Sequence, residues 1–140
     1  MVGCEYCVWA AGASNPRRVY EDEWCVAVVE GRPARVGHVV LFPKKHHSIG
    51  PQLGDELVRH LGAAAQRISR ALIIALKVHG TTVLISNGVA AGQREQHFIM
   101  DIIPRDEGDG LSFSKEGVEL AERERVKEAI SARVKELFHG

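Results

Sequence analysis

Two groups of residues in this 140-residue chain have the types and spacings that site chemistry requires. Cys4-Glu5-Tyr6-Cys7 sets two thiols three residues apart, so one tight turn can present both sulfurs to a common point. Two thiolates completed by two imidazoles form the donor set that favours tetrahedral zinc. Alone, the Cys-x-x-Cys spacing fits chance or a redox dithiol more readily than a metal, so the histidines decide its meaning. Pro43-Lys44-Lys45-His46-His47 supplies two adjacent imidazoles, and a one-residue slip exchanges His46 for His47. The second group runs from Gly92-Gln93-Arg94-Glu95-Gln96 through His97-Phe98-Ile99-Met100-Asp101 to Ile102-Ile103-Pro104-Arg105. In an extended strand the side chains alternate, so His97, Ile99 and Asp101 share one face while Phe98, Met100 and Ile102 share the other. That first face presents an imidazole, a hydrocarbon and a carboxylate. Ile99 has no lone pair and cannot act as a nucleophile.

These residues need a scaffold, and the hydrophobic pattern supplies one. Arg17 to Tyr20 is a candidate short strand after a small-residue loop from Ala11 to Pro16. Trp24 to Glu30 and His38 to Phe42 are valine-rich strands joined by a glycine- and proline-containing turn. From about Gly54 to Val78, apolar residues such as Leu57, Leu61, Ala64, Ala65, Ile68 and Leu72 recur at three- and four-residue steps, which predicts a long amphipathic helix. Asp55 and Glu56 suit its first turn and Gly80 its end. Thr81 to Ser86 and Gln96 to Ile103 read as strands, the second closed by Pro104, which cannot continue a ladder hydrogen bond. A second helix is expected from Lys115 to Phe138. Strands, a long helix, further strands and a terminal helix predict an α+β fold in which helices cover an antiparallel sheet.

The composition narrows the function classes. The 18 basic and 18 acidic side chains cancel, which argues against general nucleic-acid binding or recruitment to anionic membranes. No segment approaches the roughly 18 consecutive apolar residues of a membrane span, and the N-terminal residues lack a secretory pattern, so a cytoplasmic location without membrane association is expected. Three cysteines fit an intracellular metal site better than a secreted disulfide framework, Cys25 being a buried strand residue. One domain spanning 1–140 is expected, with a motif-bearing core over about 4–109 and a C-terminal helix over about 115–138.

The Gly-Gln frame before His97, the apolar pair with Pro104-Arg105 after it, the opening Cys-x-x-Cys and the Pro-Lys-x-His ending at His46 together resemble the zinc-binding subtype of the histidine triad (HIT) family. The resemblance extends over most of the chain from Cys4 to Asp109. It implies a five-stranded antiparallel sheet with one long central helix, and a homodimer in which two sheets join into one. It also implies zinc held structurally by Cys4, Cys7, His46 and His97. In that family the middle histidine attacks phosphorus and carries a covalent nucleotidyl group; Ile99 stands there, and Asp101 replaces the third histidine.

The resemblance places the candidate nucleotide-binding residues at Glu30, where relatives grip ribose hydroxyls, and at Asn87, Gly92, Gln93 and Arg94 around the phosphates. Arg94 either clamps a phosphate or pairs with Asp101 or Glu95 and closes the pocket. A fixed charge at Asp101 repels an anionic ligand unless Arg94 or a metal neutralises it. The expected function is binding of a purine nucleotide or related phosphate compound without family catalysis. The alternatives are an unconventional phosphohydrolase or nucleotidyl transferase for dinucleoside polyphosphates or phosphoramidates, in which His97 and Asp101 act, and a ligand-free protein-interaction scaffold.

Overall fold

The computed structural model describes residues 3–112 and 117–139. The elements are α1 (Glu5–Ala10), β1 (Arg18–Glu21), β2 (Cys25–Val29), β3 (Val39–Pro43), α2 (Asp55–Leu76), β4 (Gly80–Leu84), β5 (Met100–Arg105) and α3 (Leu120–His139). The strands form one antiparallel sheet in the order β1-β2-β3-β5-β4. The chain divides into two compact units, Met1–Asp109 with the sheet and Gly110–Gly140 with α3. The start expected for α3 near Lys115 lies outside the described residues. No helix among the described residues is long and apolar enough to cross a membrane.

Period-two alternation explains why β2 and β3 are buried along nearly their whole length. Cys25, Ala27, Val39 and Leu41 pack with Leu61, Ala64 and Ile68 of α2, and Met100 and Ile102 of β5 join them. The intervening residues Val26, Val28, Val40 and Phe42 pack on the opposite face with Tyr6 of α1 and with Ile99. The sheet is therefore lined on both faces. Burying each valine, leucine, isoleucine, methionine or phenylalanine among them contributes about 1.5–3 kcal/mol. The two faces differ in role, since α2 closes one as plain core while the other carries the residues of chemical interest.

Four boundaries differ from the sequence reading. The Cys-x-x-Cys segment forms a short helix rather than a bare turn, started by Cys4, whose sulfur accepts from the Cys7 N–H at 3.4 Å. Helix α2 ends at Lys77, which adopts the left-handed conformation at φ 55°, while Gly80 opens β4. His97 to Ile99 precede the β5 ladder, because the Phe98 N–H donates to the His47 carbonyl at 2.6 Å instead of to a neighbouring strand. Strand β5 also passes through Pro104, which pairs opposite Thr81 while its carbonyl accepts from Arg35 at 3.0 Å. One missing N–H does not end a strand whose other groups are satisfied.

Asp22 anchors the start of β2 to α2. Its carboxylate accepts from Tyr20 Oη at 2.6 Å, the Trp24 and Cys25 N–H groups at 2.7 and 2.9 Å, and His60 Nε2 at 2.7 Å. Burial alone would raise its pKa, but these donors outweigh it and hold the carboxyl well below the usual range. A depressed folded value means that the stabilisation is full above the unfolded pKa near 3.9 and is lost as pH falls through the folded value. Asp22→Asn is therefore expected to cost on the order of 3 kcal/mol at neutral pH, and urea titrations should show its deficit shrinking only below about pH 4.

Candidate metal centre and adjoining pocket

Cys4 and Cys7 from α1, His46 after β3 and His97 before β5 bring one ligand atom each into a cluster within 4.8 Å of one another. Cys4 Sγ lies 3.4 Å from His97 Nδ1, Cys7 Sγ 3.1 Å from His46 Nδ1 and Cys7 Sγ 3.6 Å from His97 Nδ1. Sulfur and nitrogen sharing one tetrahedral zinc at its ordinary bond lengths stand about 3.5 Å apart. The observed spacings bracket that value. His97 is fully buried, and its Nε2 lies 2.8 Å from the Pro43 carbonyl, which can only accept. Nε2 therefore carries the proton, and Nδ1 turns its lone pair to the sulfurs, the orientation a backbone acceptor imposes on metal-binding histidines.

The chemistry of the donors suits a cation. Burial holds the His97 imidazole below its ordinary pKa, and burial together with the Cys4 sulfur pushes the Cys7 thiol up. Buried His46 Nε2 has no partner among the described residues. A divalent ion with affinity for sulfur and nitrogen would displace the thiol protons and engage Nδ1 of both rings. The set fits a metal site. His47 stands outside it and contributes its backbone carbonyl to Phe98.

Helix α1 also borders a pocket whose walls include Tyr6, Trp9, Arg17, Val28, Glu30 and Arg94. Glu30 follows β2, accepts the Arg32 N–H at 3.0 Å and receives Arg94 Nη2 at 3.4 Å. Arg94 is thus paired with neither Asp101 nor Glu95. Asn87 and Gln93 do not line this pocket. Asn87 Oδ1 accepts from the Gly50 N–H at 2.7 Å, while Gln93 takes the Gly88 N–H at 2.7 Å and donates to the Ser48 carbonyl at 2.6 Å. Both side chains brace the 87–93 loop against residues 48–50. Gly92 closes the 3-10 turn Val89–Ala91 at φ 93°, a backbone conformation that favours glycine.

Ile99 is 7% exposed, packed with Tyr6, Val28, Val40 and Phe42. Asp101 has a partner that no sequence pattern announced. The Ala34 N–H donates to His38 Nδ1 at 3.1 Å, so Nε2 bears the proton and donates to Asp101 Oδ1 at 2.7 Å. His38 is buried, and both of its ring nitrogens are engaged.

The profile of the HIT domain matches residues 12–108, which is most of the chain. The chain belongs to the HIT family. Among relatives, the Bacillus subtilis protein hit is 35% identical over 109 residues, covering 77% of this chain and 75% of that one. Adenylylsulfatase HINT3 of Arabidopsis thaliana is 32% identical over 112 residues, 80% of this chain but 57% of the relative, so the match spans little more than half of that protein. The crystal structure of a zinc-bound histidine triad family protein from Mycobacterium smegmatis superposes with a TM-score of 0.74 at 31% identity, covering 96% of this chain and 97% of that one.

Within this HIT chain the three triad positions have separate surroundings. His97 faces the thiols, Ile99 faces hydrocarbon and Asp101 faces His38. The sequence reading did not identify Tyr6, Trp9 and Arg17 as pocket walls. The available signal was the three-residue step from Tyr6 to Trp9, which puts both aromatics on one side of a helix turn and was obscured by reading that segment as a tight turn.

Proposed function

We propose that this HIT protein is stabilised by zinc at Cys4, Cys7, His46 and His97 and binds a purine nucleotide or related phosphorylated small molecule in the pocket beside α1, without the covalent chemistry of its family. The observation that carries the reading is Ile99, buried in hydrocarbon at the position where relatives place the attacking imidazole. A pocket with polar walls persists next to it, so the site keeps the means to hold a ligand and lacks the means to be phosphorylated. Zinc supplies folding energy here, as a closed four-ligand site does elsewhere. The protein takes part in the reaction of no bound group; its residues bind, orient and exclude water.

The proposal extends to assembly and location. Strand β4 is a sheet edge with Val83 exposed and Ile85 exposed just beyond it, and pairing two such edges gives the continuous sheet of a homodimer. None of the three cysteines is in a disulfide, which suits a reducing cytoplasm. The relative named an adenylylsulfatase suggests the opposing enzymatic reading, and a scaffold without a ligand is the third. Thermal unfolding separates them. Adenosine monophosphate at 100 times its dissociation constant is expected to add about 2.7 kcal/mol of stability by mass action, with no hydrolysis of adenosine phosphoramidate. Unchanged melting at millimolar nucleotide would reject ligand binding, and steady hydrolysis would reject the non-catalytic reading.

A further inference from the structure

The pocket beside α1 holds three arginines in unequal states. Arg94 pairs with Glu30 through one contact at 3.4 Å. Arg32 gives Glu30 its backbone N–H, and its side chain lies in an exposed turn. Arg17 has no carboxylate partner among the described residues, yet it is the arginine most firmly seated. Its backbone is pinned at both ends, the N–H donating to Asn15 Oδ1 at 2.9 Å and the carbonyl accepting from the Val29 N–H at 2.8 Å. Its guanidinium carbon lies 5.3 Å from the Trp9 ring centroid. Its Nη1 end lies near Gly31, where an added Cβ would collide with it.

A guanidinium held over an aromatic face keeps its N–H edges available in its own plane, where they match two oxygens of a phosphate. Because the seat is already built, little ordering remains to be done when the ligand arrives. Glu5 and Glu95 also line the pocket, both exposed, and no described interaction joins either to Arg17.

We propose that Arg17, seated over Trp9 and beside Gly31, is the residue that receives the ligand's phosphate, while Arg94 stays on Glu30. This rests on the reading that the pocket takes a phosphorylated molecule, and it moves the anion subsite from the loop after β4 to the segment before β1. The HIT resemblance pointed to position 94; the charge pairing points to position 17.

Calorimetric titration of the full-length protein with adenosine monophosphate, inorganic pyrophosphate and adenosine tests the assignment. Arg17→Gln is expected to weaken the two phosphate compounds at least about tenfold, more than Arg94→Gln does, while leaving adenosine unaffected. Gly31→Ala keeps every charge and only displaces the guanidinium, so it should weaken the same two ligands about threefold or more with melting unchanged. The exposed helix variant Arg70→Gln controls for net charge and should bind as the parent does. Parental affinity in both Arg17→Gln and Gly31→Ala would overturn the assignment while nucleotide binding stood. A larger loss in Arg94→Gln, or equal loss of adenosine in Arg17→Gln, would overturn it as well. A parent that binds none of the three compounds would overturn both the assignment and the proposed function.

Discussion

Replacing Cys4 and Cys7 together by serine should lower the melting temperature by roughly 10 °C or more, a loss of about 3–5 kcal/mol for a chain of this size. Serine hydroxyls are poor zinc donors at neutral pH, so the variant would keep the shape of α1 without the bond that ties it to residues after β3 and before β5. What remains is costly. His97, fully buried, and His46 would each present an Nδ1 with no metal to engage it. Chelator treatment should destabilise the parent by a similar amount and the double variant scarcely at all. Equal melting of the parent, the chelated parent and the variant would contradict a structural metal at these residues. Elemental analysis should give about one zinc per chain.

Nucleotidyl turnover should lie at least about 10⁴-fold below that of a relative with an intact triad, the scale on which loss of a covalent nucleophile is felt. Restoring that histidine alone should not recover it. Ile99→His would bury an imidazole among Val28, Val40, Phe42 and the ring of Tyr6, and is expected to cost roughly 2–4 kcal/mol of stability. The next position on that face would still be Asp101, held by His38 at 2.7 Å. Hydrocarbon around position 99 and His38 beside Asp101 both fit the residues present, so one substitution is not expected to restore the chemistry. A rise in turnover of more than about tenfold in Ile99→His, measured with adenosine phosphoramidate, would show that the pocket had stayed catalytically organised.

The scaffold was largely legible in the sequence because it repeats simple periods. Leu61, Ala64, Ala65 and Ile68 mark the buried stripe of α2, and the parity of Phe98, Met100 and Ile102 against Ile99 puts each on the sheet face where it packs. Helix α1 was not legible, since six residues contain too few turns to show a period. The end of α2 was misplaced because Lys77 adopts the left-handed conformation that glycine favours, three residues before the glycine in sequence.

The site was legible in parts. Cys4, Cys7, His46 and His97 converge, and the choice between His46 and His47 falls to the imidazole whose Nδ1 reaches Cys7. Charge pairing was hidden, because a pair such as His38 and Asp101, 63 residues apart, leaves no local trace. For the same reason Arg94 found Glu30, 64 residues away, rather than the nearer Glu95 or Asp101. Asn87 and Gln93, read from the resemblance as phosphate neighbours, hold the loop in place with their side chains.

Rapid acid quenching separates a pocket that holds phosphate from one that is phosphorylated. Purified protein is mixed with adenosine phosphoramidate labelled at phosphorus, stopped over milliseconds to minutes, and protein-bound label is counted beside saturable binding of adenosine monophosphate. Saturable binding is expected, with no label on the chain at any time. Stoichiometric label appearing in a burst, on His97, Asp101 or any other residue, would contradict it.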